Sequence, residues 1–395
     1  MSFGTLLVVV LAGLAGPALA LGRRRFVPVV IGEILAGVIV GRTGIDAIDP
    51  SNGTLGFLGQ VGFAMLMLTV GMHLPLRDRR LLVSLRSGAA LALIAGLLAV
   101  PAAFAAAAIA GTAHVAVYAV LLASGSAAVL LPALEEAGPV GLEALAVMAQ
   151  VTIADVVTIL SVPIVLQPSR TAHAALGAAL VALASVVLIV GARRVAGHRW
   201  VRRARELSWH RRWALDLRLS LLVLFLLTWI SQKSGTSALV AGFGAGVTVA
   251  LAGGPRRLSN QMRGVADGFF IPLYFVVLGA QLDLRGLVDH PEMLALAGAL
   301  AALNVAIHIA AAALLRRPLS GGLVASAQLG VPAAVASLGL AEHVLSRGVA
   351  TAIVAAAMVS LLACTAGIEA LLRSGGAPSR PARAADAAPA KLAQT

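Results

Sequence analysis

The chain has 395 residues, of which 59% are apolar and only 12% charged, and it carries a net charge of +13. A soluble domain of this length has about 25% charged residues, so the composition excludes an ordinary globular enzyme and points to a polytopic membrane protein. The one cysteine, Cys364, excludes an intramolecular disulfide. The basic excess has an explanation in topology that requires no nucleic acid.

Taken in chain order, stretches long enough to cross a bilayer fall at 2–21, 26–41, 55–74, 87–110, 114–134, 141–167, 172–192, 214–231, 235–252, 265–282, 291–315, 319–340 and 348–372. The first resembles a signal peptide, with Ala18-Leu19-Ala20 like a cleavage site. No basic residue precedes it, however, and Arg23, Arg24 and Arg25 follow. That polarity predicts a retained helix with its N-terminus outside.

Loop charge tests the count. With alternate loops on opposite sides, one side collects 24 of the 30 basic residues and the other 5, with Arg218 inside a span. Adding or removing one internal span would destroy this asymmetry. The reading is thirteen spans, the C-terminus on the positive, cytoplasmic side, basic loops facing anionic lipid, and a short disordered tail at 376–395.

Asp155 stands in the middle of a long apolar stretch, Leu142 to Leu166. A carboxylate at mid-bilayer costs at least about 2.5–3.5 kcal/mol on insertion scales. A chain that keeps one uses it to hold a proton, a cation, or each in turn. Glu33 lies inside the second span towards its cytoplasmic end, and His308 lies inside span 11 between Ile307 and Ile309. For both, a plain structural role is the competing reading; a lone intramembrane histidine often just bonds a neighbouring helix.

Two spans look broken. Span 5 contains Ala123-Ser124-Gly125-Ser126-Ala127 and then Pro132; span 12 contains Gln328-Leu329-Gly330-Val331-Pro332 and then Gly339. Interrupted helices free backbone groups, which a membrane tolerates only where they line a cavity or bind something. A matched pair of them marks an inverted-repeat transporter. Spans 1–6 and 8–13 form two six-helix halves, with span 7 between them making the second half enter from the opposite side. The predicted fold is therefore all-α and polytopic, with two inverted repeats, a linker helix and two discontinuous crossing helices. The predicted site is Asp155 as the ion- and proton-binding group, supported by Ser124, Ser126, Thr158, Gln328, His308 and Glu33.

At these residues the chain resembles the cation/proton antiporter superfamily, in the branch of bacterial sodium/proton and potassium/proton exchangers. The helix from Pro28 to Gly41 resembles that family's P-x-x-x-G-E-x-x-A-G-x-x-x-G segment. Gly59 to Gly71, Ser124 to Ser126 with Leu134-Glu135 after them, Pro272 to Gly279, and Leu282-Asp283-Leu284 resemble other shared stretches. The resemblance implies that Asp155 falls on the family's ion-binding aspartate. Ala154 stands where relatives often have Asp, Asn or Gln, and His308 close to where many have Lys or Arg. Those departures favour an electroneutral one-for-one exchange.

The resemblance also implies a transmembrane exchanger domain over 1–375. Its scaffold would comprise spans within 2–74 and 214–283, its mobile core spans within 87–167 and 291–372, and its linker helix 172–192. It implies a homodimer in the inner (plasma) membrane, exchanging a monovalent cation, Na⁺ or K⁺, for H⁺ without a cofactor. Rival readings are a related carrier that drives organic-anion uptake with a cation, a non-transporting membrane receptor or sensor, which a long soluble output domain would support, and an intramembrane hydrolase built on Ser124 or Ser126 with His308 as base.

Overall fold

The computed structural model describes all residues except 22–27, 74–78, 128–129, 131–141, 169–170, 212, 254–255 and 375–395. Among the described residues there are helices and no strands. In chain order they are α1 (Phe3–Gly13), α2 (Ala15–Ala20), α3 (Val29–Val40), α4 (Gly53–His73), α5 (Arg79–Ala110), α6 (Val115–Ala123), α7 (Leu142–Leu166), α8 (Thr171–Ala196), α9 (Arg199–His210), α10 (Leu215–Lys233), α11 (Ala238–Ala252), α12 (Arg256–Val265), a π-helical turn (Ala266–Phe270), α13 (Ile271–Gln281), α14 (Leu284–Asp289), α15 (Pro291–Leu314), α16 (Leu319–Ala325), α17 (Gly330–Ala341) and α18 (Arg347–Ser374).

Ten of the described helical segments are long and apolar enough to cross a membrane, and each coincides with one of the thirteen expected stretches. The shorter apolar helices α3 and α11 occupy 26–41 and 235–252. The expected stretch 114–134 holds α6, of 9 residues, and helical positions Ala127 and Leu130. The number thirteen thus depends on two short helices and one partly described segment. Pro132, Leu134, Glu135, the arginines 23–25 and the tail 376–395 lie outside the described residues. Leucines and aromatics on the outer helices, among them Leu7, Leu11, Leu180, Leu183, Leu222 and Trp229, are exposed, as a surface facing hydrocarbon requires. The two most enclosed spans are α7 and the α16–α17 pair.

Why α3 and α11 can be short follows from how they pack. Each carries a G-x-x-x-G pair, Gly37/Gly41 and Gly242/Gly246, which lets backbones touch directly. A Cβ on Gly37 would strike the Val276 carbonyl, and one on Gly41 the Ala280 backbone of α13. A Cβ on Gly242 would come 2.7 Å from the Ala64 carbonyl, and one on Gly246 would strike the Leu68 carbonyl of α4. In both pairs the register climbs together (37 with 276, 41 with 280; 64 with 242, 68 with 246), so the partners run parallel. Two six-helix halves inserted in opposite senses would interchange these crossings: spans 2 and 10 map onto spans 9 and 3.

The helix contacts fall into two sets. α3, α4, α11 and α13 pack together with α1, α2 and the π turn; α5, α6, α7, α15, α16, α17 and α18 pack with one another. α8 lies against α10, α11 and α7. Across the boundary, α17 touches α4, and the Tyr274 hydroxyl and Ser337 Oγ are hydrogen-bonded at 3.0 Å.

Candidate ion-binding site

The backbone is non-helical at Ser124–Ser126, where the sequence indicates, and at Ala327–Leu329, so the second break falls just ahead of Gly330-Val331-Pro332, which already belong to α17. Ser and Gly resist helix. At the first break, Ser124 adopts extended backbone (ψ 152°) and its Oγ donates to the Leu121 carbonyl at 2.7 Å. Gly125 permits close approach: a Cβ there would meet Val151 Cγ1 of α7 at 3.0 Å. At the second, Pro332 sits in the first turn of α17, where its missing N–H leaves no helical bond unmade.

Asp155, 3% exposed, projects from α7 to the first break, where its Oδ2 accepts from the backbone N–H of Ala127 at 2.9 Å. Ala127 is itself helical, and Leu130 N–H, three residues on, donates back to the Ser126 carbonyl at 3.3 Å. Ser124 and Ser126 are buried beside it. Thr158, one turn along α7, is also buried. Its hydroxyl donates to the Ala154 carbonyl at 2.7 Å and that of Asp155 at 3.3 Å, within its own helix.

Gln328 ties the second break to the first. Its Nε2 donates to the Leu121 carbonyl and, at 2.9 Å, to Asn304 Oδ1. Asn304 in turn donates through Nδ2 to the Ser326 carbonyl at 2.7 Å and to Ser360 Oγ of α18 at 3.0 Å. A chain of hydrogen bonds therefore runs from α18 through α15 and the second break to the end of α6. Buried polar chains of this kind fix geometry because each lost partner leaves a desolvated group. Asn304 is a residue that sequence reasoning missed, although it stands four positions before His308 and so shares its helical face.

Replacing Asn304 with alanine removes both donors that hold Ser326 and Ser360. The expected result is a loss of about 1–3 kcal/mol of stability, read as a lowered thermal midpoint in detergent, together with weaker apparent cation affinity. Adding Asn304→Ala to Gln328→Ala should cost less than the sum of the two, since they share a bond.

His308 is 1% exposed, and its Nδ1 lies 2.9 Å from the Asn304 carbonyl on the same helix. No hydrogen bond or ion pair joins it to Asp155 among the described residues. Glu33 is 3% exposed, with Oε2 unpartnered. Its helix packs chiefly against α13, α2 and α1, away from the breaks. Of the expected site residues, Asp155 bonds Ala127 just after Ser124–Ser126, Gln328 bonds Leu121 and Asn304, His308 is held by Asn304, Thr158 is bonded within its own helix, and the Glu33 helix packs against others.

A further cluster escaped the sequence reading. Arg317, just before α16, donates to Glu143 Oε1 of α7 at 2.7 Å and to Ser87 Oγ of α5 at 2.9 Å. With Gln150, whose Nε2 is buried and unpartnered, Arg317 and Glu143 line a small open cleft with room for about one water. Among the described residues, no group of three or more His, Cys, Asp and Glu side chains is placed to hold a metal.

The fold and the chain both have known counterparts. The family model described as "Sodium/hydrogen exchanger, transmembrane" matches residues 6–374. The solved structure of the sodium proton antiporter MjNhaP1 from Methanocaldococcus jannaschii superimposes with a TM-score of 0.61 at 16% identity, covering 95% of this chain and 96% of that one. No curated protein sequence matches the chain.

Proposed function

From membership of the transmembrane sodium/hydrogen exchanger family, to which this chain belongs, we propose that it exchanges Na⁺ or K⁺ for H⁺ by letting the two compete for Asp155. The observation that carries the reading is the position of that carboxylate: buried, on an enclosed span, and bonded to the backbone of a broken helix. Hydrocarbon surroundings oppose a bare charge there. The group is neutralised either by a proton or by a dehydrated cation that shares oxygens of Ser124, Ser126 and Gln328. Occupancy by one excludes the other, so the two fluxes are coupled without a separate device.

The helix set around α5–α7 and α15–α18 serves as the moving core, and the set around α3, α4, α11 and α13 as the scaffold. Movement between them carries the loaded site across, breaking the Tyr274–Ser337 bond on the way. An empty, charged Asp155 is costly to move, which suppresses leak. His308, held through Asn304, tunes the pH range, and Glu33 belongs to the scaffold. The protein works as a homodimer in the inner membrane, with its basic loops and C-terminus cytoplasmic.

The hydrolase reading finds no support in the geometry. Ser124 Oγ donates to Leu121 and His308 Nδ1 faces Asn304, so the described residues hold no serine–histidine pair. The organic-anion carrier is separated by experiment. In proteoliposomes with an internal pH dye, pulses of Na⁺, K⁺ or Li⁺ should each report whether cation movement drives proton movement, with at least one giving a pH change. Cation-driven uptake of an organic acid without that pH change would overturn the exchanger.

A further inference from the structure

The short helix α9 connects the two halves of the chain and differs in character from every span. Its residues run Arg199-Trp200-Val201-Arg202-Arg203-Ala204-Arg205-Glu206-Leu207-Ser208-Trp209-His210, too polar to cross a bilayer. One face is anchored inward, where Ser208 is buried and its Oγ accepts from Leu215 N at 3.0 Å. Arg205 Nε pairs with Asp216 Oδ1 of α10 at 3.2 Å. After α9 the chain turns through Ala214 in left-handed backbone (φ 51°), which fixes the angle between α9 and α10.

The outward side carries two kinds of residue. At roughly 100° per residue, Trp200 and Leu207 fall on one edge, and both are exposed, at 64% and 46%. Trp213, just beyond the helix, is 46% exposed and lies under the Arg211 guanidinium, 5.6 Å from its ring centroid. The adjoining edge carries Arg199, Arg203 and His210, all exposed, with Glu206 the one acid of the helix. Arg194, at the end of α8, is exposed nearby. Exposed tryptophans at the end of a membrane span, flanked by arginines, fit neither water nor the hydrocarbon core. They fit the boundary between them, where indole rings sit at headgroup level.

We propose that α9 and Trp213 form an in-plane anchor that binds anionic phospholipid. Trp200, Leu207 and Trp213 enter the headgroup–acyl boundary, and Arg199, Arg203 and Arg211 face lipid phosphate. The combination of an apolar edge with a cationic one is the chemistry by which interfacial helices select acidic lipid. Because α9 is bonded to α10 through Ser208 and Asp216, the lipid layer would hold the junction between the two halves at a fixed depth.

The test uses the full-length protein in vesicles that mix phosphatidylcholine and phosphatidylglycerol, with Trp209 and Trp229 replaced by phenylalanine so that Trp200 and Trp213 report. Bromine is placed on one lipid at a time. Brominated phosphatidylglycerol should quench the fluorescence several-fold more than its share of the mixture dictates. The preference should fall as salt rises, vanish in R199Q/R203Q/R211Q and persist when the same three positions are lysine. Equal quenching by both lipids would overturn the recognition of anionic headgroups. Quenching by neither would place this face against water or a protein partner and overturn the anchor itself. The salt titration requires no arginine variant, so a misfolded triple substitution leaves the proposal open to refutation.

Discussion

Asp155→Asn should abolish cation-driven proton flux while leaving a folded, inserted protein. The amide has nearly the same shape, and its oxygen still accepts from Ala127 N–H, so the 2.9 Å contact to the first break survives. It also removes the demand for a charge in a site that is 3% exposed, which leaves stability unchanged or raised. What the amide lacks is a titratable proton and the negative charge that would hold a cation. Flux in proteoliposomes should therefore drop to the level of empty vesicles, while thermal unfolding in detergent shows an intact fold. Wild-type flux from the variant would remove Asp155 from the mechanism.

The second large effect is on the fold. Gly246→Val should destabilise the protein by at least about 1–3 kcal/mol, the range for forced overpacking. The added Cβ would strike the Leu68 carbonyl and lie 2.8 Å from both Gly71 Cα and Met72 N. All three are backbone atoms that cannot swing aside, so α4 and α11 must separate. The natural control is Gly298→Ala on α15, where nothing lies within 4 Å of the new atom; there the better helix former should be neutral or stabilising by up to about 1 kcal/mol. Thermal midpoints in one detergent compare the two. A Gly246 variant as stable as wild type would mean that the α4–α11 crossing is not close-packed.

Much of this was legible in the sequence because the membrane sharpens the relevant signals. A charge in hydrocarbon is costly, so Asp155 stands out without any knowledge of its neighbours. Ser-Gly-Ser marks the first break for the same reason, since freed backbone must find partners, whereas Gly-Val-Pro marks the start of the helix that follows the second. What stayed hidden was pairing. The amide of Asn304 carries no charge and looks incidental among alanines, yet it joins the second break to α18. Arg317 and Glu143 are 174 positions apart, and each alone reads as a loop residue at a span end. Nor does the sequence show how His308 is held: its Nδ1 lies 2.9 Å from the Asn304 carbonyl one turn back, a bond that any buried histidine in a helix can make. The π-helical turn at Ala266–Phe270 left no signal in hydropathy.

The most direct measurement of the central claim is the apparent KM for the cation as a function of pH in wild-type proteoliposomes. If proton and cation contend for one carboxylate, KM should climb about tenfold for each unit of acidification below the titration point, by mass action at a single site. The rate at saturating cation should stay constant over the same range. A KM that does not change with pH while the maximal rate falls would place the proton on a different group, and the competition at Asp155 would be wrong.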